Sequence, residues 1–472
     1  MTLKKNRLIT NAILNCLRVC SNIILPLISF PYLTRILHVN NLGKVSFCSS
    51  IIAYFILFAG LGINNYAIRE GSKIREDHKK LSQFSNEMFT MHLISASIIY
   101  FLLIIFLFVW KVEKDYKLIV AILSITIVCN AFSFDWLPNV LEDFRFITIR
   151  VISIQILSLI TIFLFVKKSE DYIIYACITG ITSIISGTLN FIYAKKNIEI
   201  SHIRKFDWKI HLKPILILFA NTLMITIYLQ SDITMIGIFR SDYEVGLYRI
   251  SVQIYSAVKT MLNAITVVTI PRLSLYLNNN KVENYHILLS TIINTLAYLC
   301  VPAMFGLFLI AQNCIILVGG NEYISSVSSL QVLCFALIAA VFGNFFVNAV
   351  LIVHCQEQKA FLATVFSAIM NIALNLFFIP KFGFLGAAIT TLIAEIIAMS
   401  LLIYYSRNYV HITLNLRLIL IIGFGSALII IICFFISSLK LTLVLDTLLK
   451  IIFSIIAYSI ISLFAKNILW KH

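Results

Sequence analysis

Apolar residues in this chain come in long, nearly unbroken runs, apolar on every face and separated by short clusters of Lys, Arg, Asp, Asn and Gly. A helix needs about 20 such residues to cross the hydrocarbon core of a bilayer. Runs of that length centre near Ile23, Ile56, Tyr100, Ile127, Leu157, Thr182, Thr226, Leu262, Leu299, Ala339, Met370, Glu395, Leu428 and Ile455. They predict about fourteen transmembrane helices, with twelve as the alternative count. Barrel strands would read as short alternating segments with a polar interior, so the expected fold is an all-α membrane bundle. Inside the first run, away from both of its ends, sits Arg18. A fixed charge at that depth costs at least about 2.5 kcal/mol and normally faces a polar cavity, not lipid.

Composition agrees with a polytopic membrane protein: 60% of the 472 residues are hydrophobic and 12% are charged, and the mean hydropathy is +0.96, far outside the soluble range. The net charge of +16 changes the picture only through its placement. With the N-terminus assigned to the cytoplasm, Lys and Arg on the inside outnumber those outside by about two to one. Two loops decide this: Arg69, Lys73, Arg75, Lys79 and Lys80, then Lys195, Lys196, Arg204, Lys205, Lys209 and Lys213. Both termini are then cytoplasmic. The charge is read as membrane topology and contact with anionic lipid, with no role for nucleic acid. No small-residue cleavage site follows the first run, which is read as an uncleaved span.

The ten cysteines are scattered through apolar spans without CxxC spacing or accompanying histidines, so they read as packing residues and no metal is expected. No GxxxxGK[ST], HExxH or GxSxG occurs. Every loop is short, which leaves no extramembrane domain to house catalysis and argues against an enzyme. His38, His92 and His354 form no catalytic set. Trp110, Trp136 and Trp208, at span ends, are expected to be interfacial anchors.

Weak internal repeats keep their order along the chain. Glu142 to Ile149 leading to Leu159 is echoed by Glu357 to Thr364 leading to Leu374; Ala176-Cys-Ile-Thr returns as Ala387-Ala-Ile-Thr; Leu42-Gly43 returns as Val245-Gly246. The offset covers six helices, an even number, which predicts two parallel six-helix halves, 1–205 and 206–410, around a central cavity. Residues 411–472 would add two accessory helices.

Helical periodicity then groups the polar residues inside the spans. At 100° per residue, Asn11, Asn15, Arg18, Asn22 and Ser29 fall within about 60° of one another on the first span. Arg249, Gln253, Ser256, Thr260 and Asn263 make a second stripe on the eighth span, with Lys259 at its edge and Arg249 near the outer boundary. On the seventh, Asn221, Tyr228 and Asp232 line up, and the repeat offset sets Asn221 opposite Arg18. Neutral members of such stripes also serve as interhelical packing. The cations suit phosphate oxygens, Arg through its fork and Lys as a point charge, while Asn and Ser suit sugar hydroxyls. The candidate substrate-binding set is therefore Asn15, Arg18, Asn22, Asn221, Arg249, Lys259 and Asn263. Buried acids are the natural carriers of a coupling proton or sodium ion, and Asp135, Asp232 and Glu395 are the candidates.

Several short motifs resemble one family. Phe134-Asp135-Trp136 with Leu141-Glu142-Asp143, Arg35 with Gly43, Asp232 ahead of Glu244-Val245-Gly246-Leu247-Tyr248, and Ile379-Pro380-Lys381-Phe382-Gly383-Phe384-Leu385-Gly386-Ala387-Ala388 resemble oligosaccharide flippases of the polysaccharide transporter family in the multidrug/oligosaccharidyl-lipid/polysaccharide superfamily, the O-antigen (Wzx-type) flippases above all. The resemblance runs from about Asn6 to Tyr405. It implies a bacterial inner-membrane flippase, working by alternating access in O-antigen or lipopolysaccharide assembly beside other polysaccharide-assembly membrane proteins. Its substrate would be an undecaprenyl-diphosphate-linked oligosaccharide passed from the cytoplasmic to the periplasmic leaflet, without a cofactor beyond proton or sodium coupling. The alternatives are a lipid II flippase, a multidrug exporter of the same superfamily, and a membrane-embedded glycan polymerase or ligase. An exporter of cations would be expected to place acids where this chain places Arg18, and a polymerase or ligase would be expected to carry one large periplasmic loop.

Overall fold

A computed structural model describes residues 2–200, 207–410 and 416–469; the side chains of 2–13, 16 and 462–469 lie outside the description, and with them the expectations for Asn11, Arg204 and Lys205. Among the described residues there is no strand. The chain divides into two compact units, Met1–Thr234 and Met235–His472.

In chain order the first unit holds α1 (Thr2–Gly60), α2 (Ile63–Gly71), α3 (His78–Val109), α4 (Lys114–Leu123), α5 (Ile125–Phe132), α6 (Leu137–Val140), α7 (Phe144–Phe165) and α8 (Tyr172–Asn197). α9 (Trp208–Phe239) follows, then α10 (Asp242–Asn278), α11 (Val282–Leu309), α12 (Ala311–Gly319), α13 (Val327–Phe345), α14 (Glu357–Ser406), α15 (Leu416–Ser438) and α16 (Leu443–Leu469). Helix is the form these sequences must take in lipid, because it satisfies each backbone N–H and C=O within one segment.

Among the described residues, twelve helices are long and apolar enough to cross a membrane. α1 and α14 are each broken internally, at His38 and at Gly383. The apolar runs therefore number fourteen, and each contains one centre expected from the sequence. Large apolar side chains stay on the outside, with Phe108 83% and Phe434 80% exposed. In water such surfaces would aggregate; in lipid they are the solvated face.

Inside the first unit the turns collect at two ends, as an up-and-down path requires. At one end the Asn41 amide donates to the Ser169 carbonyl at 2.8 Å, and Lys44 lies 3.6 Å from Asp115. At the other, Arg75 pairs with Glu142 and the Asn86 amide donates to the Glu199 carbonyl at 2.7 Å. The second end carries the basic 69–80 loop. Trp136, expected as an interfacial anchor, is buried at 6% exposure with Phe84 edge-on to its ring. The short helix α6 folds it inward, so packing claims the ring.

The break in α14 is built from the residues that carried the motif resemblance. Pro380 lacks an N–H and disrupts the ladder, and Gly383 adopts φ 59°, ψ −138°, a region that costs a residue with Cβ about 1–3 kcal/mol. A Cβ there would also collide with the Glu244 carboxylate. Glu244, on α10, accepts from the Phe384 N–H at 3.0 Å and from Arg240 at 2.8 Å, while Arg240 also donates to the Pro380 carbonyl at 3.3 Å. One carboxylate thus caps the restarted helix and holds the cation that braces the break.

Candidate functional site

The polar stripe of the first span is a bonded row within the first unit. Arg18 Nη2 donates to Asn15 Oδ1 at 2.7 Å, one turn away on the same face. Farther along, Asn22 Oδ1 accepts from the Gln155 amide of α7 at 2.6 Å, and Thr148 of α7 donates to the Leu14 carbonyl at 3.1 Å. Among the described residues no carboxylate pairs with Arg18, and its Nε is buried without a partner. Gln155 Oε1 is buried and unpaired as well. One idle charged donor and one idle acceptor therefore lie along the row, a set that suits an anion attached to hydroxyl-bearing groups. Sequence reasoning missed Gln155, although an amide inside the otherwise apolar α7 run was a visible signal.

On α9, Asn221 is exposed. Asp232 is buried within electrostatic reach of Tyr54, and next to it Thr234 donates to Ser50 at 2.8 Å. Asp135 sits elsewhere in the unit. Its Oδ1 accepts from Arg150 at 2.6 Å and from the Asn190 amide, a bonded group joining α7 and α8 to the turn after α5.

In the second unit Lys259 of α10 lies 3.9 Å from Glu395 of α14 and 4.8 Å from the centre of the Tyr255 ring. The two charged side chains are 23% and 13% exposed, so the pair is shielded without being sealed. Asn263, one turn beyond Lys259, has its Oδ1 buried and unpaired. Arg249 is half-buried on the same helix and engages a neighbour. The structure also reveals a buried polar row unmarked by the sequence reading: Asn375 donates to Asn371 at 3.2 Å, Thr390 donates to Asn375, and Thr391 shares a 3.2 Å hydrogen bond with Tyr248. The i, i+4 spacing of the two asparagines inside an apolar span was its signal. A cavity of about 480 Å³ between α11, α15 and α16 is lined by Pro302, Gly306, Ile451 and other largely apolar side chains, so it offers a head group little.

The family described as polysaccharide biosynthesis protein matches residues 8–277. The chain belongs to that family. The matched residues include Arg18 with its stripe, Lys259 and Asn263. Among the family chain's relatives, a protein of Escherichia coli (strain K12) named "Putative O-antigen transporter" is 24% identical over 397 residues, covering 82% of this chain and 94% of that one. Among solved structures, "Lipid II flippase MurJ, inward closed conformation" superposes with a TM-score of 0.77 at 19% identity, over 98% of this chain and 100% of that chain. An inward-facing multidrug resistance MATE family transporter of the MOP superfamily gives 0.58 at 14% identity, over 82% and 97%. This multi-pass membrane protein shares its fold with those two structures.

Proposed function

We propose that this protein is a flippase for a lipid-linked oligosaccharide, taking an undecaprenyl-diphosphate-linked repeat unit from the cytoplasmic to the periplasmic leaflet of a bacterial inner membrane. Arg18 and Lys259 receive the diphosphate, the amides beside them receive sugar hydroxyls, and the polyprenyl tail stays in the bilayer. The residues are exposed to one side of the membrane and then to the other, with both termini in the cytoplasm. The relatives named as O-antigen transporters support the substrate class, and the family supports its place in polysaccharide assembly. Nothing in this chemistry makes or breaks a covalent bond, so the protein acts as a transporter and not as an enzyme.

The observation that carries the reading is the environment of Arg18: a permanent cation inside an apolar span, bonded to an amide, with a buried N–H still to satisfy. A guanidinium there attracts an anionic head group, whereas a carrier of cationic drugs would pay a repulsion at the same place. The test is complementation of a strain lacking its O-antigen flippase, with wild type and Arg18→Ala at matched membrane abundance, scored as surface polysaccharide. Export by wild type and its loss in Arg18→Ala are expected. A silent wild type across several sugar backgrounds, or a fully active Arg18→Ala, would overturn the assignment.

A further inference from the structure

A cluster of titratable groups lies apart from both cation sites, inside the first unit. His211, in the first turn of α9, has both ring nitrogens engaged: Nδ1 is 2.9 Å from the Tyr66 hydroxyl of α2, and Nε2 is 3.1 Å from Glu87 Oε2 of α3. The other Glu87 oxygen accepts from the Gln83 amide at 3.0 Å. Phe84 closes the cluster, with its ring centre 6.1 Å from that of Tyr66 and 5.9 Å from that of His211. The His211 and Glu87 side chains are 15% and 12% exposed, shielded yet within reach of water.

The surrounding charges are Arg69 over the Tyr66 ring, Glu70 held by Arg69 and Lys73, and Lys209 and Lys213 on α9 itself. Burial pushes the Tyr66 phenol above its ordinary value, and the Glu70 charge adds to this. Tyr66 therefore stays a neutral hydroxyl that can either donate or accept. All three helices meet at the end that bears the basic 69–80 loop, the cytoplasmic end by charge placement.

We propose that Tyr66, Glu87 and His211 form the proton-exchange site of the transport cycle. This rests on the flippase reading above. With neutral imidazole, Tyr66 donates to Nδ1 and Nε2–H donates to Glu87, leaving one negative charge. Uptake of a proton breaks an O–H bond of hydronium, releases water and forms Nδ1–H; the Tyr66 hydroxyl rotates and its oxygen accepts. The cluster is then a neutral ion pair, and its hydrogen bonds are charge-assisted, roughly twice as strong as neutral ones. Proton loading thus ties the start of α9 to α2 and α3, and release to cytoplasmic water frees it.

The test uses the full chain in detergent. Hydrogen–deuterium exchange, corrected for intrinsic rates, follows segments 63–71 and 208–216 in buffers from about pH 5 to about pH 8. Both segments should be protected about tenfold more at the acidic end, the scale of a charge-assisted bond. His211→Gln and Glu87→Gln should each flatten the profile, and either suffices if the other does not fold. Tyr66→Phe keeps the ion pair, so it should keep the pH dependence of 208–216 and lose that of 63–71, whose only bond to the cluster is the phenol. A wild-type profile in His211→Gln, or loss of the 208–216 dependence in Tyr66→Phe alone, would overturn the site. In the complementation strain, both the His211 and Glu87 variants should export about a tenth or less of wild type at matched abundance; full export by either overturns the coupling role. A wild type that shows the pH-dependent protection but exports nothing would sink the flippase reading and leave the proton site standing.

Discussion

Arg18 and Lys259 are both cations on polar stripes inside apolar spans, one in each unit, yet their company differs. Arg18 has amides around it and a buried N–H without a partner, while Lys259 has an acid at 3.9 Å and an aromatic ring beneath it. Guanidinium is planar, always charged and carries five donors in a fixed fork; the lysine ammonium is a mobile point charge. The first site stands ready for an anion, whereas the second gives up a carboxylate before it can take one. In the flippase proposed above, that difference would set an order: the head group would be held at Arg18, and Lys259 would take an anion only after giving up Glu395.

The largest effect should come from the site with no substitute. Arg18→Ala should lower export on the order of a hundredfold, since a charge-assisted contact is lost and nothing nearby replaces it. Arg18→Lys should recover part of that in the same strain; full recovery would mean that charge alone matters and the contrast in geometry fails. Lys259→Ala should follow at about tenfold, because it removes one anion contact and leaves Glu395 with a buried, weakly compensated charge. Glu395→Gln tests the comparison by its sign. Titration of the purified protein with undecaprenyl diphosphate, followed by tryptophan fluorescence, should show binding tightened by about threefold once the competing carboxylate is neutral; weaker binding would show that Glu395 supports the site instead of opposing it. Asn263→Ala, which removes an oxygen without a partner in the protein and at most one neutral contact to a sugar hydroxyl, should change export by about twofold.

Much of this was legible in the sequence, and residue by residue the reasons differ. Arg18 stood out because a fixed charge in an apolar run is costly wherever it points, and Asn15 and Asn22 joined it through helical spacing alone. Lys259 and Glu395 were each marked, but for separate roles; only the packing of α14 against α10 made them a pair. Asp135 was readable as an acid near a span end, and nothing along the chain could say that Arg150 and Asn190 converge on one of its oxygens. Fourteen runs were countable in advance. Where two pairs of them part, at His38 inside α1 and at Gly383 inside α14, was not, and the break at Gly383 is held by Glu244, more than a hundred residues earlier. Trp136 failed as an anchor because aromatic residues look the same in sequence whether they meet a head group or a buried ring. His211 and Glu87 were passed over for the same reason: a histidine and a glutamate more than a hundred residues apart signal nothing until α9 meets α3.

What the sequence determined by itself was the membrane class, the number of apolar runs, the charge asymmetry between loops, the family and the faces on which Arg18 and Lys259 lie. These are properties of single segments, set by hydropathy, charge and the 3.6-residue period. The tertiary structure alone decided the partners: Gln155 for Asn22, Glu395 for Lys259, Glu244 for the restarted α14 and Tyr66 with Glu87 for His211. A partner depends on how far each helix rotates and slides as it packs, and that is settled by contacts between segments far apart in the chain, where no local pattern reaches.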